Sequence, residues 1–222
     1  MAVSILFQRV PRRCFASAAR VDRAEALREL LTDPATDPAD RAARGRRMLG
    51  EVLRASLGPV VLTRSSWAAL CDVRWICSQR PAWCSLSDSE MATLELVQSW
   101  PGEAQRVQGI SAELEEAVAE TFHRLGCKTD MTRTAGHLKL PLCLSELKIM
   151  ILCLEDEASS SPVMQLHRAQ LEETPGWRLE VLLRSEWSRG ASGASASRAE
   201  HELLLRQKLA QALQANVPRR RR

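Results

Sequence analysis

The 222-residue chain has no apolar run approaching the roughly 18 residues that a membrane-crossing helix requires, so no membrane span is expected. Its seven cysteines (14, 71, 77, 84, 127, 143 and 153) include no C-x-x-C pair. Neither a zinc knuckle nor a disulfide framework is indicated, and a reducing compartment fits best. Lysine is scarce: Lys128, Lys139, Lys148 and Lys208 are the whole set, and the other basic residues are arginines. Arginine suits planar, bidentate phosphate contact and stacking on bases, although a GC-rich coding sequence gives the same bias. There is no clear internal repeat. A long helical array of the kind that reads extended RNA sequence is therefore not expected.

Acidic residues are missing from positions 1–20, which carry Arg9, Arg12, Arg13 and Arg20. This stretch is rich in Ala and Ser, and Ile5, Leu6, Phe7 and Val10 offer a short apolar face opposite the arginines. The composition is that of an organelle transit peptide, mitochondrial rather than secretory, since Arg9 interrupts the apolar run. The other end, 215–222, closes on Arg219, Arg220, Arg221 and Arg222. Net charge is +4, yet without those eight arginines the 27 acidic groups outnumber the remaining bases. Nucleic-acid binding must then come from a local patch or the tail, because the body has no overall positive field.

Residues 21–100 read as an all-helical module. Asp22 with Glu25 and Ser87 with Glu90 have capping-box spacing. Asp37-Pro38 is an N-cap followed by proline at the first helical position. Apolar faces repeat at helical spacing through Leu27, Leu30 and Leu31, then Leu49, Val52 and Leu53, then Trp67, Leu70, Val73 and Ile76. Arg41, Arg44, Arg47 and Arg54 line the second helix, as a solvated face or a phosphate contact. Residues 101–110 read as a linker.

From Ser111 to Gln214 the pattern changes. Ser111 caps a helix whose apolar face runs through Leu114, Val118, Phe122 and Leu125 and closes at Gly126. Strands are predicted over 128–134, 138–144 and 147–154, a helix over 162–173, a strand over 177–183 and a final helix over 198–214. The order α-β-β-β-α-β-α implies a layered α/β unit.

Particular residues in this unit resemble the RAP domain family. They are Leu125-Gly126, the apolar third strand 149–154, His167-Arg168 with Leu171, Gly176-Trp177, the strand through Val181–Leu183, Glu186-Trp187, and Leu205-Arg-Gln-Lys208-Leu209. The resemblance covers 111–213. It implies a fold related to the restriction-endonuclease core: a small RAP domain with a central mixed sheet flanked by helices, following the helical module. It also implies a role in organellar RNA metabolism, in transcript processing or stability or in ribosome assembly and structure. Where relatives carry acids on the third strand, this chain has Leu152 and Leu154, followed by Glu155. The acid of the preceding strand falls at Leu140 or Pro141.

A metal-dependent nuclease needs converging carboxylates and a lysine. Asp130 with Glu146-Leu147-Lys148 matches that pattern loosely, but Glu146 is expected in a hairpin turn. His123 and Cys127, four apart on a helix with His137 nearby, read better as a buried thiol and ordinary histidines than as ligands. No catalytic residue, metal or cofactor is expected. A binding role requires less. Arg168, Arg178, Arg184 and Arg189 are candidates to hold phosphates, Trp177 and Trp187 to stack on bases or pack in the core, and Arg219–Arg222 to anchor RNA. The expected partner is organellar rRNA or mRNA, with mitoribosomal proteins as a further possibility. The expected site is the mitochondrial matrix, with the plastid second. Two alternatives stand beside this reading: a structural mitoribosomal subunit without autonomous RNA recognition, and an RNA endonuclease.

Overall fold

Local sequence signals start most of the helices. Asp37 Oδ1 accepts from the amides of Ala39 and Asp40 (2.9 and 3.2 Å), ahead of Pro38. Ser87 and Glu90 close a reciprocal capping box: Ser87 N donates to Glu90 (2.9 Å), and Glu90 N donates to Ser87 Oγ (3.3 Å). Ser111 and Ser161 cap the helices that follow them through Leu114 N and Met164 N. The computed structural model describes residues 18–56, 64–81, 86–98, 103–156, 161–189 and 198–214. The leader expected over 1–20 lies outside the described residues except for 18–20, and the basic tail 215–222 with Arg219–Arg222 lies outside them entirely.

Among the described residues there are eight helices and two small mixed sheets. Helices α1 (Ala18–Thr32), α2 (Pro38–Ser56), α3 (Arg64–Gln79) and α4 (Asp88–Gln98) form the N-terminal part. α1 begins upstream of Asp22, so Asp22 lies inside the helix rather than at its cap. The expected apolar faces meet in one core: Leu27, Leu31, Leu49, Val52, Leu53, Trp67, Leu70, Val73, Ile76 and Leu94 are all buried there. Cys77 is disulfide-bonded, where no disulfide had been expected, while Cys71, Cys127, Cys143 and Cys153 are free. Cysteine count and spacing alone do not reveal such a bond, because whether two thiols pair depends on the distance and direction of their Cβ atoms.

The stretch read as a linker carries structure. Strand β1 (Gln105–Arg106) pairs in parallel with β3 (Leu138–Lys139), which pairs antiparallel with β2 (Thr134–Ala135). Val107 is buried beside them. α5 (Ala112–Arg124) follows and ends at Gly126, whose φ of +78° suits a residue without Cβ. The second sheet has the order β4-β5-β6: β4 (Leu142–Leu144) antiparallel to β5 (Ile149–Leu154), and β5 parallel to β6 (Arg178–Leu183). The single strand predicted over 138–144 is split at Leu140-Pro141 into β3 and β4, which belong to different sheets. Proline has no N–H to give to a ladder. The strand predicted over 128–134 reduces to an isolated bridge from Asp130 to Cys143, then β2.

Every residue of β5 is buried, and its alternation joins two cores. Ile149, Ile151 and Cys153 face α5 and α8 (Arg198–Gln214), packing with Val118, Phe122 and Leu205. Met150, Leu152 and Leu154 face α6 (Pro162–Glu172), packing with Met164 and Leu171. The far side of α6 gives Leu166 to the core of the N-terminal helices. α6 is thus shared between sheet and helical part. Between β6 and α8 comes the short α7 (Arg184–Arg189), which carries Trp187. Removing the fully buried Leu152 side chain should expose the importance of this packing: Leu152→Ala is expected to cost about 2–5 kcal/mol, measured by urea unfolding with the slope m unchanged.

Candidate functional site

Two places combine polar chemistry from distant parts of the chain. The first is a buried junction. α3 is apolar around Asp72, yet the Asp72 side chain is 0% exposed. Its carboxylate accepts from four side chains. Oδ1 takes His137 Nε2 (2.7 Å) and Gln170 Nε2 (3.0 Å), and Oδ2 takes His167 Nε2 (3.2 Å) and Arg28 Nη1 (3.3 Å). These donors come from α1, the β2–β3 turn and α6. The junction therefore ties the helical part to the α/β part. Burial pushes the Asp72 carboxyl up, but the hydrogen bonds from His137 and His167 outweigh it and hold the group well below the usual carboxylate range.

Asp72, His137 and His167 are also the one group of three potential metal ligands among the described residues, with ligand atoms within 4.8 Å of one another. The donor set favours a hydrogen-bonded cluster. Both carboxylate oxygens already receive two donors each, one of them the Arg28 guanidinium, which repels a cation. His167 Nδ1 faces the amide N–H of Gln108 at 3.5 Å, which calls for an unprotonated Nδ1 and a proton on Nε2. A metal on Nε2 would instead put a second N–H against Gln108.

The second place is where β6 begins, beside the 145–148 turn. Trp177 is half-buried against the core that contains Met150 and Leu152. The Arg133 guanidinium carbon lies 5.6 Å from its ring centroid and Lys148 Nζ lies 5.2 Å from it, within cation–π range. Arg133 also pairs with Asp130 at 2.8 Å. Lys148 has a φ of +55° and is exposed, and its carbonyl accepts from Arg178 N at 2.8 Å. Arg178 is half-buried, with Nη1 lacking a partner.

Of the residues predicted for RNA, Trp177 and Arg178 fall in this patch. The others go elsewhere. Arg168 pairs with Glu172 on its own helix at 3.0 Å. Arg184 is enclosed by Glu155 (2.5 Å), Glu113 (3.1 Å) and Ser111 Oγ (2.9 Å), and its bond holds the Glu155 carboxyl below its ordinary value. Trp187 packs into the core under α5 and stacks flat on His201, centroids 3.9 Å apart, so it is a packing residue rather than an open platform. The side chain of Arg189 lies outside the described residues. On the nuclease side, Leu152 and Leu154 are buried in apolar surroundings. Asp130 is engaged by Thr132 and Arg133, and Glu146 sits exposed in the 145–148 turn.

Sequence reading passed over Asp72, Arg28, Gln170 and Arg133. The legible signal was Asp72 itself, an acid one helical turn from both Ala68 and Ile76 on a buried stripe. Compared with known proteins, the chain matches no family model, no curated protein and no solved structure.

Removing one partner of a buried, charge-bearing network leaves the rest uncompensated, so Asp72→Ala is expected to cost about 3–5 kcal/mol, read by chemical denaturation at neutral pH. Asp72 titrates lower folded than unfolded. Its stabilisation is full above its unfolded value of about 4 and is lost as pH falls toward the folded value. Wild-type stability should therefore drop on acidification below about pH 4 more steeply than that of the Asp72→Ala variant, as followed by thermal melts across a pH series.

Proposed function

We propose that this chain is a non-catalytic RNA-binding protein of an organelle, the mitochondrial matrix before the plastid, acting in RNA processing or stability or in ribosome assembly. The proposal includes the RAP-like identity of its C-terminal half. One observation carries the RNA reading: Trp177 with two cations over its ring at the edge of the sheet. An aromatic ring with adjacent positive charge is what single-stranded RNA needs. The base stacks, and a phosphate meets Lys148, with Arg133 beside it already paired to Asp130. Lys148 has no carboxylate partner among the described residues, so its charge is open to a ligand.

The apolar side chains at Leu152 and Leu154 support a binder over an endonuclease, since a metal-dependent cut needs acids where these leucines lie. A second reading, a structural mitoribosomal subunit without autonomous RNA recognition, is favoured by a different observation. Arg168 and Arg184 are committed to carboxylates of the chain itself, which reduces the cationic surface left for free RNA.

The test is fluorescence anisotropy of the full chain with labelled single-stranded RNA across a salt series. Trp177→Ala is expected to weaken binding by about 1–3 kcal/mol. Lys148→Ala should weaken all sequences alike and lower the salt slope by about one. Absence of binding at low salt would reject autonomous recognition. Cosedimentation with ribosomal subunits after mild RNase treatment would then favour the structural reading.

A further inference from the structure

We infer that a pocket next to Trp177 receives one unpaired base of the bound strand and prefers a base carrying an exocyclic amino group. The inference rests on the RNA-binding reading and names what that site selects. The pocket has a volume of about 230 Å³ and lies between α3, the β2–β3 turn and the end of α6, with Trp75, His137, Leu138, Gln170, Leu171 and Glu173 among its lining. That is below the roughly 300 Å³ at which pockets for drug-sized ligands begin, and it suits a single base.

Its position follows from the chain. The pocket-lining stretch from Ala135 to Leu138 lies just after Arg133, and the stretch through Thr174 and Pro175 lies just before Trp177. The Arg133 guanidinium sits over the Trp177 ring, so the two stretches converge beside the cationic patch. Phosphate held by Lys148 at this patch therefore leaves a neighbouring base near the pocket.

The polarity of the lining follows from the buried junction. Gln170 spends its amide nitrogen on Asp72 at 3.0 Å, and a flipped amide would set oxygen against carboxylate. Oε1 is therefore the group left over, an acceptor with no partner among the described residues. Glu173 adds a carboxylate, steadied by Gln79 Nε2 at 3.0 Å. Leu138, Leu171 and Trp75 supply apolar wall. An exocyclic amino group offers two N–H donors to these two acceptors, where uracil offers the single N3–H between two carbonyls, and Arg74 in the same lining supplies a donor for the ring nitrogen beside the amino group of adenine, cytosine or guanine. Asp72 acts here as a positioning residue, since it fixes which end of Gln170 is available.

The experiment compares full-length protein binding to labelled oligo(A), oligo(U) and a fully abasic ribose-phosphate strand, each about ten nucleotides long. Two pocket-filling variants, Ala135→Phe and Pro175→Trp, are measured alongside, with thermal melts as a check on folding. Wild type is expected to bind oligo(A) about tenfold more tightly than oligo(U), the equivalent of one good polar contact, and the abasic strand more weakly than either. A folded pocket-filling variant should lose that preference and keep its affinity for the abasic strand. Equal binding of wild type to oligo(A) and oligo(U) would overturn the pocket while leaving RNA binding in place. So would a folded variant that keeps the preference. If wild type binds none of the three strands, the RNA-binding reading fails and the pocket proposal fails with it.

Discussion

A carboxylate with no access to water holds this chain together. Removing an ion from water costs several kcal/mol even after relaxation, and that cost is offset only when every lone pair is used. Asp72 meets the condition because Arg28, His137, His167 and Gln170 arrive from separate elements and complete the shell. The consequence is geometric. α1, α3, α6 and the β2–β3 turn cannot shift relative to one another without stranding a buried charge. Apolar contacts alone, such as Leu166 against the helical core, would tolerate sliding far better. Directional donors fix the register that hydrophobic burial leaves loose.

The same junction links fold to candidate site. Gln170 and His137 line the pocket near Trp177 while their other ends bind Asp72. The sheet makes a parallel contribution. β5 is apolar on both faces, so it can only be a central strand, and its partner β6 is held so that Trp177 and Arg178 begin at the 145–148 turn. The cation–π patch is thus built on backbone pairing rather than on a free loop.

Much of the secondary structure was legible in the sequence, because helix caps and apolar spacing are local signals. The box at Ser87 and Glu90, the Asp37-Pro38 start and the strand over 149–154 are readable from neighbouring residues alone. The misread places depend on long-range partners. Gln105 and Arg106 carry no strand pattern, and they become β1 only because β3 offers a free edge. Trp177 and Trp187 look equivalent along the chain, each beside an apolar run, yet one borders two cations and the other lies against His201 in the core. Arg168 and Arg184 looked available for phosphate, and only folding revealed that acids of the same chain already hold them.

Lys148 adopts a left-handed backbone conformation that glycine would enter without strain. A lysine there costs the turn some stability and returns a positive charge beside an aromatic ring. If Lys148 meets phosphate as proposed, selection for a sturdier hairpin and selection for that contact pull this one position in opposite directions. A glycine in its place would keep the scaffold and give up the proposed contact.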